Sequence, residues 1–163
     1  MKRTVMLSMC LLVCGASVAS AQRAYFYETM QHYEPIRVAL VEDSTEGVAA
    51  HAEAIAEDLR QLQAAFTNEE AGIGRDGSEL VQEKLPEIIA AAEALAAAET
   101  LQAARDAFYE MTKPMVQWHG KLVMTPRPVV AYCPMHKRSW LQPDGEIGNP
   151  YGGMPHCGEI VAR

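Results

Sequence analysis

Val48, Ala52, Ile55, Leu59, Leu62 and Phe66 follow one another at steps of four and three, and so do Leu101, Ala104, Phe108, Met111, Met115 and Trp118. That rhythm puts each set on one face of a helix, with Glu53, Glu57 and Arg60 off the first stripe. Two such faces have to be buried, and the simplest partners are each other, so the stripes are expected to share one core. Asp43 or Ser44 is expected to cap the first helix, Asp43 and Glu46 having capping-box spacing. Thr100 is the expected cap of the second. Pro114 is expected to kink its last turn or start a new one, and Gly120 to end it.

Two further helices have softer bounds. Pro35 suits a first turn, followed by the apolar Ile36, Leu40 and Val41. An alanine-rich stretch from Ser78 to Glu99 carries Leu80, Leu85, Ile88, Ile89, Ala92 and Leu95, and Pro86 is expected to divide it. Thr67 to Gly77, with three glycines, reads as a loop. The expected fold is therefore all-α, an antiparallel bundle of three to five helices. After Gly120 the proline-rich and β-branched run Val123 to Tyr132 reads as extended chain. Dense turn chemistry follows from Cys133 onward. This tail, residues 121–163, is expected to lie as an irregular Cys/Met/His segment over the bundle end, anchored by Trp140, Leu141, Ile147 and Tyr151.

The N-terminus has the parts of a signal peptide: Lys2 and Arg3, an apolar run from Val5 to Val18, and Ala19-Ser20-Ala21. Cleavage after Ala21 removes Cys10 and Cys14, and leaves residues 22–120 as the bundle. Acylation at Cys14 is the weaker reading, because Val13 is bulky where a small residue is needed. Export to a periplasm or the exterior is the expectation, with no second apolar run long enough to span a bilayer. The formal net charge is −7, and it becomes more negative once the two leader cations are gone. Nucleic acid and anionic membranes, which call for a basic face, are disfavoured as partners.

Cys133-Pro134-Met135-His136 and Met154-Pro155-His156-Cys157 hold the only cysteines outside the leader. Thiolate, thioether and imidazole are ligands for soft or borderline ions. Cys133, Met135, Met154 and Cys157, with His156 and His136, are thus candidate ligands for Cu(I) or Ag(I), Zn(II) being the poorer fit. The competing reading is a Cys133–Cys157 disulfide, favoured by an oxidising compartment. On that reading Met135 and Met154 fill the core and His136, beside Lys137 and Arg138, is a surface residue. Met111 and Met115 sit on a helical stripe and read as core. His32, His51 and His119 are scattered and expected to be exposed, and Met30 and His32 are weak ligands at best. No phosphate loop, nucleophile elbow, metallohydrolase helix or Cys-x-x-Cys is present, so an enzyme is not expected.

The tail residues Tyr132 to Met135, Trp140-Leu141, Ile147 to Gly152, Met154 and Cys157-Gly158 resemble the C-terminal signature of a bacterial family of unknown function. Tyr33-Glu34-Pro35 through Leu40 and Asp43, and Arg105 with Phe108, resemble its helical part. That family occurs as small exported proteins and fused to periplasmic adaptors of CusB-type copper/silver efflux systems. The resemblance implies a role in metal homeostasis or heavy-metal efflux, with such an adaptor as a partner. Cys133 to His136 also resembles the short metal-binding modules of those adaptors. Here the second half of such a module is only Pro155-His156-Cys157-Gly158, so one chain cannot build a four-cysteine zinc site.

Overall fold

Four helices, α1 (Tyr25–Val41), α2 (Val48–Ala64), α3 (Ser78–Ala96) and α4 (Leu101–His119), precede three short strands. The strands are β1 (Val129–Cys133), β2 (Arg138–Gln142) and β3 (Glu159–Ala162). This computed structural model describes residues 24–163. The expected leader, with Cys10 and Cys14, lies outside the described residues.

Each helix packs on the next one in the chain, as short connections between amphipathic helices dictate. The α2 and α4 stripes contribute to one core, where Ile55 and Phe108 are both fully buried, but their main partners are not each other: α2 packs on α1 and α3, and α4 on α3 and β2. Thr100 Oγ1 accepts the Ala103 amide at 3.1 Å and caps α4. The expected capping box at α2 does not form. Ser44 Oγ accepts the Glu46 amide instead, and the residue before α2 is Gly47 in a left-handed conformation. Asp43 turns away to pair with Arg105.

Two helices outrun their expected bounds. α1 starts ten residues before Pro35, because Phe26, Thr29, Tyr33, Ile36 and Leu40 form a buried stripe of their own. Pro86 does not divide α3, which runs through it with Val81, Leu85, Ile88, Ala92 and Leu95 buried on one side. A helix-interior proline costs about 3 kcal/mol. Burying one or two large aliphatic side chains, at roughly 1.5–3 kcal/mol each, is enough to offset it. Pro114 is likewise carried inside α4 and is itself buried.

The all-α expectation needs a correction at the tail. Residues 129–162 form an antiparallel sheet of order β2-β1-β3, with Val130 opposite Leu141 and Ala131 opposite Trp140. Val129, Val130 and Tyr132 are strand formers, and pairing satisfies backbone groups that an irregular segment would leave unbonded beneath Trp140. The sheet also lies along the side of the bundle. α1 and α4 touch sparingly, and large side chains fill the gap between them. Phe26 meets Trp118 at 5.1 Å and Tyr33 meets Phe108 at 4.7 Å between ring centres. β2 lies against α4 and reaches α1 through Tyr33, closing that seam. At the other end the Ala71 carbonyl, in the α2–α3 loop, accepts Trp118 Nε1 at 3.0 Å. Among the described residues no helix is long and apolar enough to cross a membrane.

Candidate functional site

Cys133 ends β1, and Cys157 lies two positions before β3, so the sheet brings together two sulfurs 24 positions apart. They are joined in a disulfide, with Cα atoms 5.5 Å apart. Cys133 is fully buried and Cys157 half-buried. As a disulfide the pair offers no thiolate to an ion.

The other expected ligands flank the two cysteines in sequence, each with its own exposure and partners. Met135 stands in the turn between β1 and β2, 70% exposed. His136 is held by the Gly152 carbonyl, 3.0 Å from Nε2, with its ring tilted against Tyr151. A carbonyl can only accept, so Nε2 carries the proton. Met154 is half-buried and lends its carbonyl to Asn149 Nδ2 and to the Cys157 amide. His156 is exposed. Among the described residues no group of three or more His, Cys, Asp or Glu side chains could hold a metal ion. In this state the residues do not fit the soft ion that the sequence resemblance implies.

The tail residues have clear structural work. Asn149, fully buried, accepts the Tyr151 amide at 3.0 Å and donates to the Met154 carbonyl at 3.1 Å. Tyr151 donates to the Ser139 carbonyl at 2.6 Å, and its ring meets Phe108, Tyr109 and Trp140. Burial pushes its phenol well above the ordinary range. Trp140 Nε1 donates to Gln142 Oε1 at 2.7 Å, and Gln142 Nε2 donates on to the Glu146 carbonyl at 2.8 Å. A Cβ at Gly158 would come within 2.6 Å of the Trp140 ring, so only glycine lets the chain pass there on its way to β3.

Two arginines dock this loop on the bundle. Arg37 on α1 is held by Glu34 and donates from Nη1 to the Gly148 carbonyl at 2.8 Å. Arg105 on α4 donates from Nε to the Pro150 carbonyl at 3.0 Å and from Nη2 to the Leu40 carbonyl at 2.9 Å. It also pairs with Asp43. A Cβ at Gly152, where φ is +87°, would meet the Arg105 guanidinium at 2.6 Å. Arg37 was not singled out by the sequence. Its position on the α1 stripe, one residue after Ile36, is the only signal that could have marked it as buried.

The histidines also differ from expectation. His119 is buried, Nε2 lying 2.8 Å from the Pro128 carbonyl, and burial holds its pKa below the ordinary histidine value. His32 and His51 are half-buried and meet each other across α1 and α2. An open groove of about 580 Å³ runs between α3 and α4, lined by Glu87, Tyr109, Glu110, Lys113 and Ser139 among others.

A family model described as a protein of unknown function, DUF3347, matches residues 29–122. The match covers most of α1 and all of α2 to α4, and stops before the sheet. No curated protein and no solved structure matches the chain.

Proposed function

The chain belongs to the DUF3347 family, and on that premise we propose that it is a non-catalytic, exported interaction module whose C-terminal sheet is clamped by the Cys133–Cys157 disulfide. The observation that carries this reading is where the clamp sits. Cys157 fixes the chain two positions before β3. β3 is an edge strand, with Val161 53% exposed. A tethered edge strand of this kind suits a partner that adds a strand of its own. The tail resemblance makes a periplasmic efflux adaptor the first partner to test. Binding of the purified oxidised protein to such an adaptor should be lost when residues 159–163 are deleted. Equal binding with and without β3 would end this reading.

A second reading is Cu(I) or Ag(I) capture by the reduced cysteine pair, in metal homeostasis or efflux. It is supported by the adjacency of the two sulfurs, with the Met135 thioether on the exposed rim. Soft ions accept few ligands, so Cys133 and Cys157 with Met135 or Met154 would suffice. Thiol titration of the exported protein, followed by competition with Cu(I) chelators after reduction, tests it. Stoichiometric Cu(I) binding that disappears in the C133S/C157S protein supports capture. No Cu(I) affinity after full reduction excludes it.

A further inference from the structure

His32 and His51 are 19 positions apart and belong to different helices, yet their Nδ1 atoms are 3.0 Å apart. The rings are tilted by 44°, with centres 5.3 Å apart, so this is an edge approach of two nitrogens and not a stack. His32 precedes the buried Tyr33 on α1, and His51 lies in the first turn of α2, one residue before the buried Ala52. The half-buried rings are therefore fixed by the α1–α2 packing and remain reachable from solvent.

Two Nδ1 atoms at this distance need one donor and one acceptor, so a single proton sits between them. The same separation suits a chelated ion. Nitrogens 3.0 Å apart, each about 2.05 Å from a metal, subtend roughly 94° at it. That is close to the right angle of tetragonal Cu(II) or Ni(II) sites and narrower than a tetrahedral Zn(II) angle. Among the described residues no third His, Cys, Asp or Glu joins the pair. Water must fill the remaining positions, which makes the site open.

We propose that His32 and His51 form a two-imidazole site for one borderline divalent ion, with Cu(II) preferred by geometry and by the order of divalent-metal affinities. The ring that donates in the apo pair moves its proton from Nδ1 to Nε2. Both Nδ1 lone pairs then face the ion, and a neutral pair releases no net proton. The site is separate from the cysteines, uses a different class of donor and does not depend on the function proposed above.

The test uses untagged, oxidised protein titrated with Cu(II). One ion per chain is expected, with electron paramagnetic resonance hyperfine structure from two imidazole nitrogens. H32Q and H51Q should each weaken binding roughly tenfold or more, since even losing an outer-shell partner costs 10- to 100-fold. C133S/C157S should bind as the parent does. Binding by the terminal amine is common to all variants and cancels in the comparison. Should a variant fail to fold, imidazole ¹⁵N spectra of the parent decide the matter. Zn(II) should then shift Nδ1 of both His32 and His51. Equal affinity of the parent and a folded H32Q/H51Q double variant, or a spectrum showing fewer than two imidazoles, would leave only a hydrogen bond between two histidines.

Discussion

The Leu141 amide on β2 donates to the Tyr33 hydroxyl on α1 at 3.1 Å. The same hydroxyl shares a 2.9 Å hydrogen bond with Thr112 Oγ1 on α4. One fully buried oxygen thus joins α1, α4 and the sheet, and burial drives the phenol far above its ordinary pKa. Y33F should keep the fold and cost about 1–3 kcal/mol, because the Leu141 amide would be buried without a partner. Urea unfolding followed by circular dichroism measures the loss, and an unchanged midpoint would contradict the assigned role.

The disulfide joins positions 24 apart, and on chain-entropy grounds such a bridge stabilises by about 3 kcal/mol. C133S/C157S is expected to lower the melting temperature while the helical circular dichroism signal survives. The stripes that build the bundle lie elsewhere in the chain. Loss of helicity at low temperature would mean that the sheet is needed for the bundle to form at all.

Arg105 and Arg60 should respond very differently to replacement by methionine. Arg105 is buried and serves the Leu40 and Pro150 carbonyls as well as Asp43. Its loss strands those carbonyls and should cost about 2–4 kcal/mol. Arg60 pairs with Glu93 on the exposed surface between α2 and α3, where solvent screens the pair, and R60M should change little. Paired denaturation curves for the two variants check the contrast.

Among the described residues, Thr29 Oγ1 on α1 is buried with no hydrogen-bond partner. T29V keeps the shape and removes the desolvated hydroxyl. A gain of about 1 kcal/mol is expected, read as a raised melting temperature. A destabilised T29V would indicate that the hydroxyl has a partner after all.

His119 supplies a pH dependence whose sign is fixed by its environment. Burial, the largest cause, lowers its folded pKa from 6.5, outweighing the Pro128 carbonyl bond that raises it. The unfolded chain then binds the proton more readily. This contribution to stability is present in full above about pH 6.5 and is lost as the pH falls through the lowered folded value. The melting temperature should therefore fall on acidification through that window. H119Q, which retains a side-chain donor, should flatten the dependence.

Regular periodicity made α2 and α4 legible, including the Thr100 cap, because their stripes carry aliphatic and aromatic residues at every turn. α1 was half hidden. Its stripe is broken by Thr29, and Pro35 resembles a start although it lies in the interior. Pro86 misled in the same way, since a local penalty says nothing about the burial that outweighs it. The strand formers at Val129 to Tyr132 were visible, but their partners were not, for pairing with Arg138–Gln142 and Glu159–Ala162 depends on distant chain. The Cys133–Cys157 pair could be proposed from chemistry and compartment. The His32–His51 pair could not, because a 19-residue spacing across two helices leaves no periodic trace.

The seam between α1 and α4 also bears on how quickly the molecule can form. Helical bundles usually fold fast because most of their contacts are local. Here the closing contacts join Tyr33 to Leu141, Arg37 to Gly148 and Tyr27 to Pro126, each spanning about a hundred residues. Ordering so long an intervening chain must precede the reward of those contacts, so the high contact order should slow the last step of assembly. Until that step the rings of Tyr33 and Phe108 lack their cover. The helices can gather early, but the finished core waits for the final thirty-odd residues.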